Sequence, residues 1–252
     1  MTALRSLLFN VCFYGSLSLH LMTMWVTLVL PRPVLQAWMR VWAKQMVWYC
    51  RVVLGLGLKV HGLENLPKGG VVLASNHQSA WDTFVFYMLV DDAQYVLKKE
   101  LMSIPFWGWY AKKAEAISVD RDGGGAALKH MVRSCVDRVR KGRQVIIFPE
   151  GTRVLPGERI AYFPGVYAIY RALPADVPLV PVALDSGRYW SRRSFLKHAG
   201  TINLRFLPPI PSGLKRAEFL EQLERRIVDA QDVPQHAPQH APQHAQDTSR
   251  GT

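Results

Sequence analysis

Cysteine is scarce in this sequence: Cys12, Cys50 and Cys135 are an odd number with no metal or redox spacing. That excludes a disulfide framework, and it points to a reducing compartment in which the thiols behave as ordinary apolar residues. No Gly-x-Ser-x-Gly elbow surrounds Ser75 or Ser79, which argues against either as a nucleophile. No helix-turn-helix, zinc or RNA-binding signature accompanies the basic charge, so nucleic acid is not the expected partner. Acidic residues are few, 19 against 31 Lys and Arg, leaving a net charge of +12. Such a balance suits an anionic partner, either a membrane surface or a phosphorylated substrate.

Charge of either sign is missing altogether between Arg5 and Arg32. The run "SLLFNVCFYGSLSLHLMTMWVTLVLP" exceeds the roughly 20 residues a helix needs to cross a bilayer. It lacks the short apolar core and small-residue cleavage site of a signal peptide. After Pro31 and Pro33 a second stretch mixes Trp38, Trp42, Trp48 and Tyr49 with Arg40, Lys44 and Arg51, as expected of a helix at the lipid interface. Residues 1–57 therefore read as N-terminal membrane-associated helices, either spanning or dipping into one leaflet.

From residue 58 to 231 the pattern predicts one α/β domain. β-rich runs at 71–76, 116–120, 144–149, 178–184 and 201–207 alternate with helical stretches at 79–91, 99–112, 124–141, 163–173 and 214–231. Apolar runs that end in polar turns are where such folds place their chemistry. Residues 232–252 contain the repeat "PQHAPQHAPQHA", which has no bulky apolar residue and is expected to be disordered. A weak metal site at His236, His240 and His244 is the lesser reading of that tail.

Five stretches could carry chemistry. In "SNHQSAWDTF", His77 and Asp82 are five apart, a spacing that shares no helical face. If a strand ends before Asn76 and a helix begins near Asp82, the turn can fold the imidazole back over the helix start. Asp82 then fixes the tautomer and the other ring nitrogen is left as a general base. Asn76 would anchor the turn and Ser79 would cap the helix. In "FPEGTR", a strand runs into a tight turn of Glu150, Gly151 and Thr152 that presents Arg153, an arrangement suited to a phosphate. In "AISVDRDGGG", Arg121 offers a second cation, and Lys98 and Lys99 follow another strand. In "VPLVPVAL", Pro178 and Pro181 suggest an edge strand or a wall beside a cleft.

In this order the stretches resemble the glycerolipid acyltransferase family, most closely its bacterial 1-acyl-sn-glycerol-3-phosphate acyltransferases. The family's Asn-His-x4-Asp block matches Asn76, His77 and Asp82, and its Phe-Pro-Glu-Gly-Thr-Arg block matches Phe148 to Arg153 unchanged. Its Val-Pro-x-Val-Pro-Val-type strand matches residues 177–182, and "KKEL…IPF.GW" is also similar. The remaining block departs: Gly-x-Ile-Phe-Ile-Asp-Arg reads Ala116 to Arg121 here, losing the glycine and phenylalanine but keeping Asp120 and Arg121.

The resemblance implies a mostly parallel or mixed central sheet flanked by helices and preceded by membrane-associated helices. It implies transfer of a fatty acyl group from acyl-CoA or acyl-carrier protein to the sn-2 hydroxyl of lysophosphatidate, with His77 as base and Asp82 as its orienter. Arg121 and Arg153 would hold the phosphate, helped by Lys99 or Lys98. Glu150, Gly151 and Thr152 would shape the arginine turn, Asn76 would steady the catalytic turn and Pro181 would add to the wall. No metal or bound organic cofactor is implied, and an anionic inner-membrane surface facing the cytoplasm is the expected location. Glycerol-3-phosphate or a lyso-ornithine lipid is the alternative acceptor, and a catalytically silent membrane protein is the reading from another class.

Overall fold

The computed structural model of the chain describes residues 1–121 and 123–231. The expected tail, with its three repeat histidines, lies outside the described residues.

Seven strands form one sheet: β1 (Leu56–His61), β2 (Val71–Ser75), β3 (Ala93–Lys98), β4 (Ile117–Val119), β5 (Gln144–Ile147), β6 (Leu179–Leu184) and β7 (Gly200–Phe206). Their order is β1-β7-β6-β2-β5-β3-β4, and all neighbours are parallel except the antiparallel β6–β7 pair. The central strands β2, β5 and β6 are buried along their whole length, as expected where helices cover both faces of a sheet.

Side chains alternate between the two faces with the period of two that a strand imposes. Leu73, Ile146, Val180 and Val182 point into one core, while Val72, Ala74, Val145, Ile147 and Leu179 point into the other. The second core is closed by α5 (Gly124–Arg140), α6 (Gly165–Ala172) and α7 (Arg216–Gln231), through Cys135, Ile169 and Phe219 among others. The first is closed by α3 (Asp82–Leu89) together with α1 (Thr2–Thr23) and α2 (Arg32–Tyr49).

The N-terminal helices are therefore part of the domain's packing. Phe9 of α1 and Ala43 and Met46 of α2 are fully buried in the same core as the sheet residues. Phe9 meets the Trp190 ring edge-on at 5.2 Å, the Ser6 hydroxyl accepts the Lys197 amide at 2.9 Å, and Tyr110 donates to the Leu21 carbonyl at 2.8 Å. The opposite face of α1 exposes Leu4, Leu7, Leu8, Val11, Tyr14, Leu19 and Met22. The helical run Thr2–Leu28 is long and apolar enough to cross a membrane, with a mean hydropathy of 1.4.

Three expectations are corrected. The helix over 99–112 is two pieces, a tight turn at Lys99–Ser103 and then α4 (Trp107–Lys113). Pro105 forces Ile104 into extended backbone, φ −68° and ψ 124°, and that breaks the helix. Strand β1 is absent from the β-rich runs and begins before residue 58; Gly57, Lys59 and a half-buried pattern hide it at the sheet edge. Pro181 stands on the inner strand β6 and not on an edge. Val72 of β2 and Asn76 just after it donate to the carbonyls of Pro178 and Val182, so residue 181 turns its nitrogen toward β7. There residue 181 faces Leu207 as the last pair of the antiparallel ladder, and the one bond forgone is the N–H that proline cannot offer to Leu207. The Pro181 carbonyl still accepts Leu207 N–H at 2.9 Å.

Candidate active site

Strands β2, β3, β4, β5 and β6 point the same way, so the turns that follow them share one edge of the sheet. The sequence places His77 after β2, Lys99 after β3, Arg121 after β4, residues 148–153 after β5 and Asp185–Ser186 after β6.

The histidine turn, the candidate catalytic turn, starts from Asn76. Its N–H donates to Val182 O, and its side-chain amide both donates to Leu184 O at 2.9 Å and accepts Leu184 N–H at 2.8 Å. The amide stands in for one more residue of sheet ladder, which holds the chain to β6 while it turns out of the strand. Asp82, with no exposed surface, begins α3 and sits inside that turn. Its Oδ2 accepts His77 Nδ1 at 2.9 Å, Gln78 N–H at 2.7 Å and Ser79 N–H at 2.8 Å. The turn thus wraps the carboxylate, and this is why residues five apart can meet. A carboxylate only accepts, so Nδ1 carries the proton and Nε2 of the neutral ring is left with its lone pair. Among the described residues no hydroxyl or thiol is hydrogen-bonded to Nε2: Ser75 Oγ donates to Asn76 O, and Ser79 Oγ accepts Trp81 N–H.

The arginine turn folds directly onto this one. Phe148 stacks on the imidazole, centroids 4.1 Å apart and planes inclined by 17°. Glu150 Oε2 accepts His77 N–H at 3.0 Å, and Val154 N–H donates to His77 O at 2.8 Å. Glu150 is buried, and loss of solvent pushes its carboxyl up to about 8. The same cause raises the Tyr162 phenol, with Glu150 adding to the effect. Gly151 takes a φ of +64°, and a Cβ there would lie 2.7 Å from the Phe163 ring. Only glycine fits.

The cations divide into two kinds. The Arg121 guanidinium donates to Gly151 O and lies 5.5 Å from the Phe163 ring centroid, so it reaches the arginine turn and braces it. Lys99 pairs with Asp120 at 2.9 Å, and Lys98 pairs with Glu100 at 3.0 Å. Arg153 is different: its guanidinium has no hydrogen-bond partner among the described residues, while its carbonyl accepts Arg192 Nη1 at 3.0 Å. Thr152 is exposed beside it. Pro181 lies beside Ala74 within the sheet, short of the rim.

Sequence reasoning did not reach Ser186, whose hydroxyl donates to Asp82 Oδ1 at 2.6 Å, or the roles of Phe148 and Gln78. Gln78 Oε1 accepts Gly187 N–H at 3.1 Å, tying the catalytic turn to the turn after β6. The available signal was "DSGR" directly after "VPVAL", another polar turn at the end of an apolar run. Among the described residues no group of three or more His, Cys, Asp or Glu is placed to hold a metal ion.

Comparison with known proteins follows this geometry. The family model described as Acyltransferase matches residues 57–185. The chain is 34% identical over 185 residues to a 1-acyl-sn-glycerol-3-phosphate acyltransferase of Pseudomonas aeruginosa, covering 73% of this chain and 71% of that protein. It is 28% identical over 198 residues to a lyso-ornithine lipid O-acyltransferase of the same organism, covering 71% of this chain and 75% of that protein. The crystal structure of the 1-acyl-sn-glycerophosphate (LPA) acyltransferase of Thermotoga maritima superposes with a TM-score of 0.73 at 19% identity, over 92% of this chain and 97% of that one. That likeness shows the fold.

Proposed function

The chain belongs to the acyltransferase family, and from that premise we propose that it moves a fatty acyl group from an acyl thioester to the sn-2 hydroxyl of 1-acylglycerol-3-phosphate, making phosphatidate. The observation that carries this reading is the pairing of His77 Nδ1 with the buried Asp82 at 2.9 Å on the sheet edge that also presents Arg153.

In the reaction, Nε2 of His77 takes the proton of the acceptor hydroxyl as its oxygen attacks the thioester carbonyl. The tetrahedral intermediate collapses with loss of the thiolate, which receives that proton from the imidazolium. Asp82 stays ionised, fixes the tautomer and stabilises the transient imidazolium. No acyl-enzyme forms, because the acceptor oxygen is itself the nucleophile. Arg153 grips the headgroup phosphate, since its guanidinium has no competing partner among the described residues and can make two parallel bonds. Arg121 acts mainly by holding the turn that presents Arg153. Acyl-CoA or acyl-carrier protein supplies the thioester, and neither a metal nor an organic cofactor enters.

The exposed apolar face of α1 supports attachment to the bilayer from which the lysolipid comes. Its other face is fastened to the domain from Ser6 to Leu21, which favours a helix lying in one leaflet over one that leaves the domain to cross. The net charge of +12 favours an anionic surface, and a cytosolic thioester puts the site on the cytoplasmic side of the inner membrane.

The likeness to a lyso-ornithine lipid acyltransferase motivates a second acceptor. A lyso-ornithine lipid would offer Arg153 a singly charged carboxylate in place of a phosphate with higher charge and more acceptor oxygens, so lysophosphatidate is preferred. The test offers the purified chain lysophosphatidate, glycerol-3-phosphate and lyso-ornithine lipid in parallel, with CoA and carrier-protein donors. Faster acylation of either other acceptor than of lysophosphatidate would overturn the assignment. A His77→Ala protein that still acts in cells would move the chain to the catalytically silent class.

A further inference from the structure

The two oxygens of Asp82 are treated unequally. Oδ2 receives three donors, all from residues 77–79. Oδ1 receives one, the Ser186 hydroxyl at 2.6 Å, from a residue more than a hundred positions further along the chain. Ser186 and Asp82 are both fully buried, so no solvent competes for that oxygen. A carboxylate offers no hydrogen, which fixes the direction of the bond: Ser186 donates.

The serine is itself held from several sides. Its carbonyl accepts Tyr189 N–H at 3.1 Å and Trp190 N–H at 2.9 Å, and Gly187 N–H reaches Gln78. Asp185, just before it, accepts Asn203 N–H at 2.7 Å from β7. A Cβ on Gly187 would stand 2.8 Å from Gln78 Cβ, so the turn after β6 approaches the catalytic turn as closely as a glycine allows. The hydroxyl therefore occupies a place set by the sheet. Pinning Oδ1 removes rotation about the carboxylate axis, and this leaves Oδ2 aimed at the imidazole.

We propose that Ser186 is a positioning residue for acyl transfer, acting through Asp82 to keep the His77 Nδ1–H tautomer and leave Nε2 free to take the acceptor proton. The inference rests on the functional reading above, and the experiment separates the two. Ser186→Ala removes one oxygen from a packed position and leaves every backbone bond in place. On the acceptor that the wild type acylates, kcat should fall by about tenfold or more while KM stays within about twofold, because the serine touches neither substrate. Placed on an Asp82→Asn background, the same substitution should cost little further, since its target is already impaired.

Nitrogen-15 shifts of His77 in the full chain, assigned by their loss in His77→Ala, should move from the Nδ1–H form toward a mixture of tautomers in Ser186→Ala. A kcat within twofold of wild type, a full loss repeated on the Asp82→Asn background, or an unchanged tautomer would each overturn the role. If the wild type acylates none of the three acceptors, the functional reading falls, and the tautomer measurement decides the serine's role alone.

Discussion

Glu150 reaches across from the arginine turn to the catalytic turn, its Oε2 accepting the backbone N–H of His77 at 3.0 Å. One buried carboxyl thus makes the proposed base and the proposed phosphate-binding turn a single body. Burial pushes that carboxyl up to about 8 from its ordinary 4.5, against the pull of its own amide and that of His77. Between those two values the folded protein holds a proton that the unfolded chain has released, so stability falls as pH rises through the window. Glu150→Gln keeps an acceptor for His77 and removes the titration. The fall in thermal midpoint from pH 6 to pH 9 should be smaller in that variant by roughly 3–6 °C, corresponding to about 1–2 kcal/mol in a domain of this size. Parallel falls in the two proteins would show that the proton resides elsewhere.

His77→Ala and Asp82→Asn should each lower kcat by about three orders of magnitude with little change in membrane attachment or thermal midpoint. Asp82→Asn retains an acceptor oxygen but loses the charge that supports the imidazolium. Steady-state kinetics beside vesicle flotation checks both halves. Retention of a tenth of wild-type kcat in either variant would remove the dyad from the chemistry.

Arg153→Ala should raise KM for a phosphorylated acceptor by about 10- to 100-fold, the range of a charge-assisted hydrogen bond, and leave an acceptor without phosphate unaffected. Arg121→Ala should lower kcat as well, because its guanidinium holds the Gly151 carbonyl and with it the turn beside His77. The split between the two variants is measured by initial rates over a series of acceptor concentrations. Identical behaviour would mean that both arginines do one job.

The two faces of α1 should separate attachment from folding. Serine at the exposed Leu4, Leu8 and Val11 should release the protein from anionic vesicles without changing its thermal midpoint. Phe9→Ala should do the reverse: it empties a core position and costs about 3–5 kcal/mol while the outer face remains apolar. Removing residues 1–30 combines the two effects, so loss of soluble folded protein is expected, and not clean release. A triple-serine protein that still floats with vesicles would shift the anchor to α2.

Much of the site was legible because its chemistry is local. Asn76, His77 and Asp82 lie within one turn, and Phe148 to Arg153 within another, so strand-then-polar-turn spacing exposed both. Ser186 was not legible, since its partner is 104 residues away and a buried Ser–Asp bond leaves no periodic trace. Glu150 read as a turn former because its contact is a backbone amide 73 positions distant. The fold shows the same contrast. Fully buried β2, β5 and β6 stood out as apolar runs, whereas β1, half-buried at the edge, carried too little hydrophobic pattern. Pro181 misled for a related reason: the rule against proline concerns ladder bonds, and on β6 it stands where the ladder to β7 ends, so a single bond to Leu207 is forgone.

The attachment of α1 carries a consequence for how the molecule is made. The pocket that receives Phe9 includes Trp190, and Ser6 is matched to Lys197 across 191 residues of chain. The first helix leaves the ribosome long before its binding site has been translated, and loop closure over such a distance is slow. Through that interval both of its faces are unpaired, the one proposed to meet lipid and the one that will meet protein. If α1 attaches as proposed, a bilayer can shelter the nascent helix until β7 is complete, and delivery to the membrane and completion of the fold become successive steps of a single process.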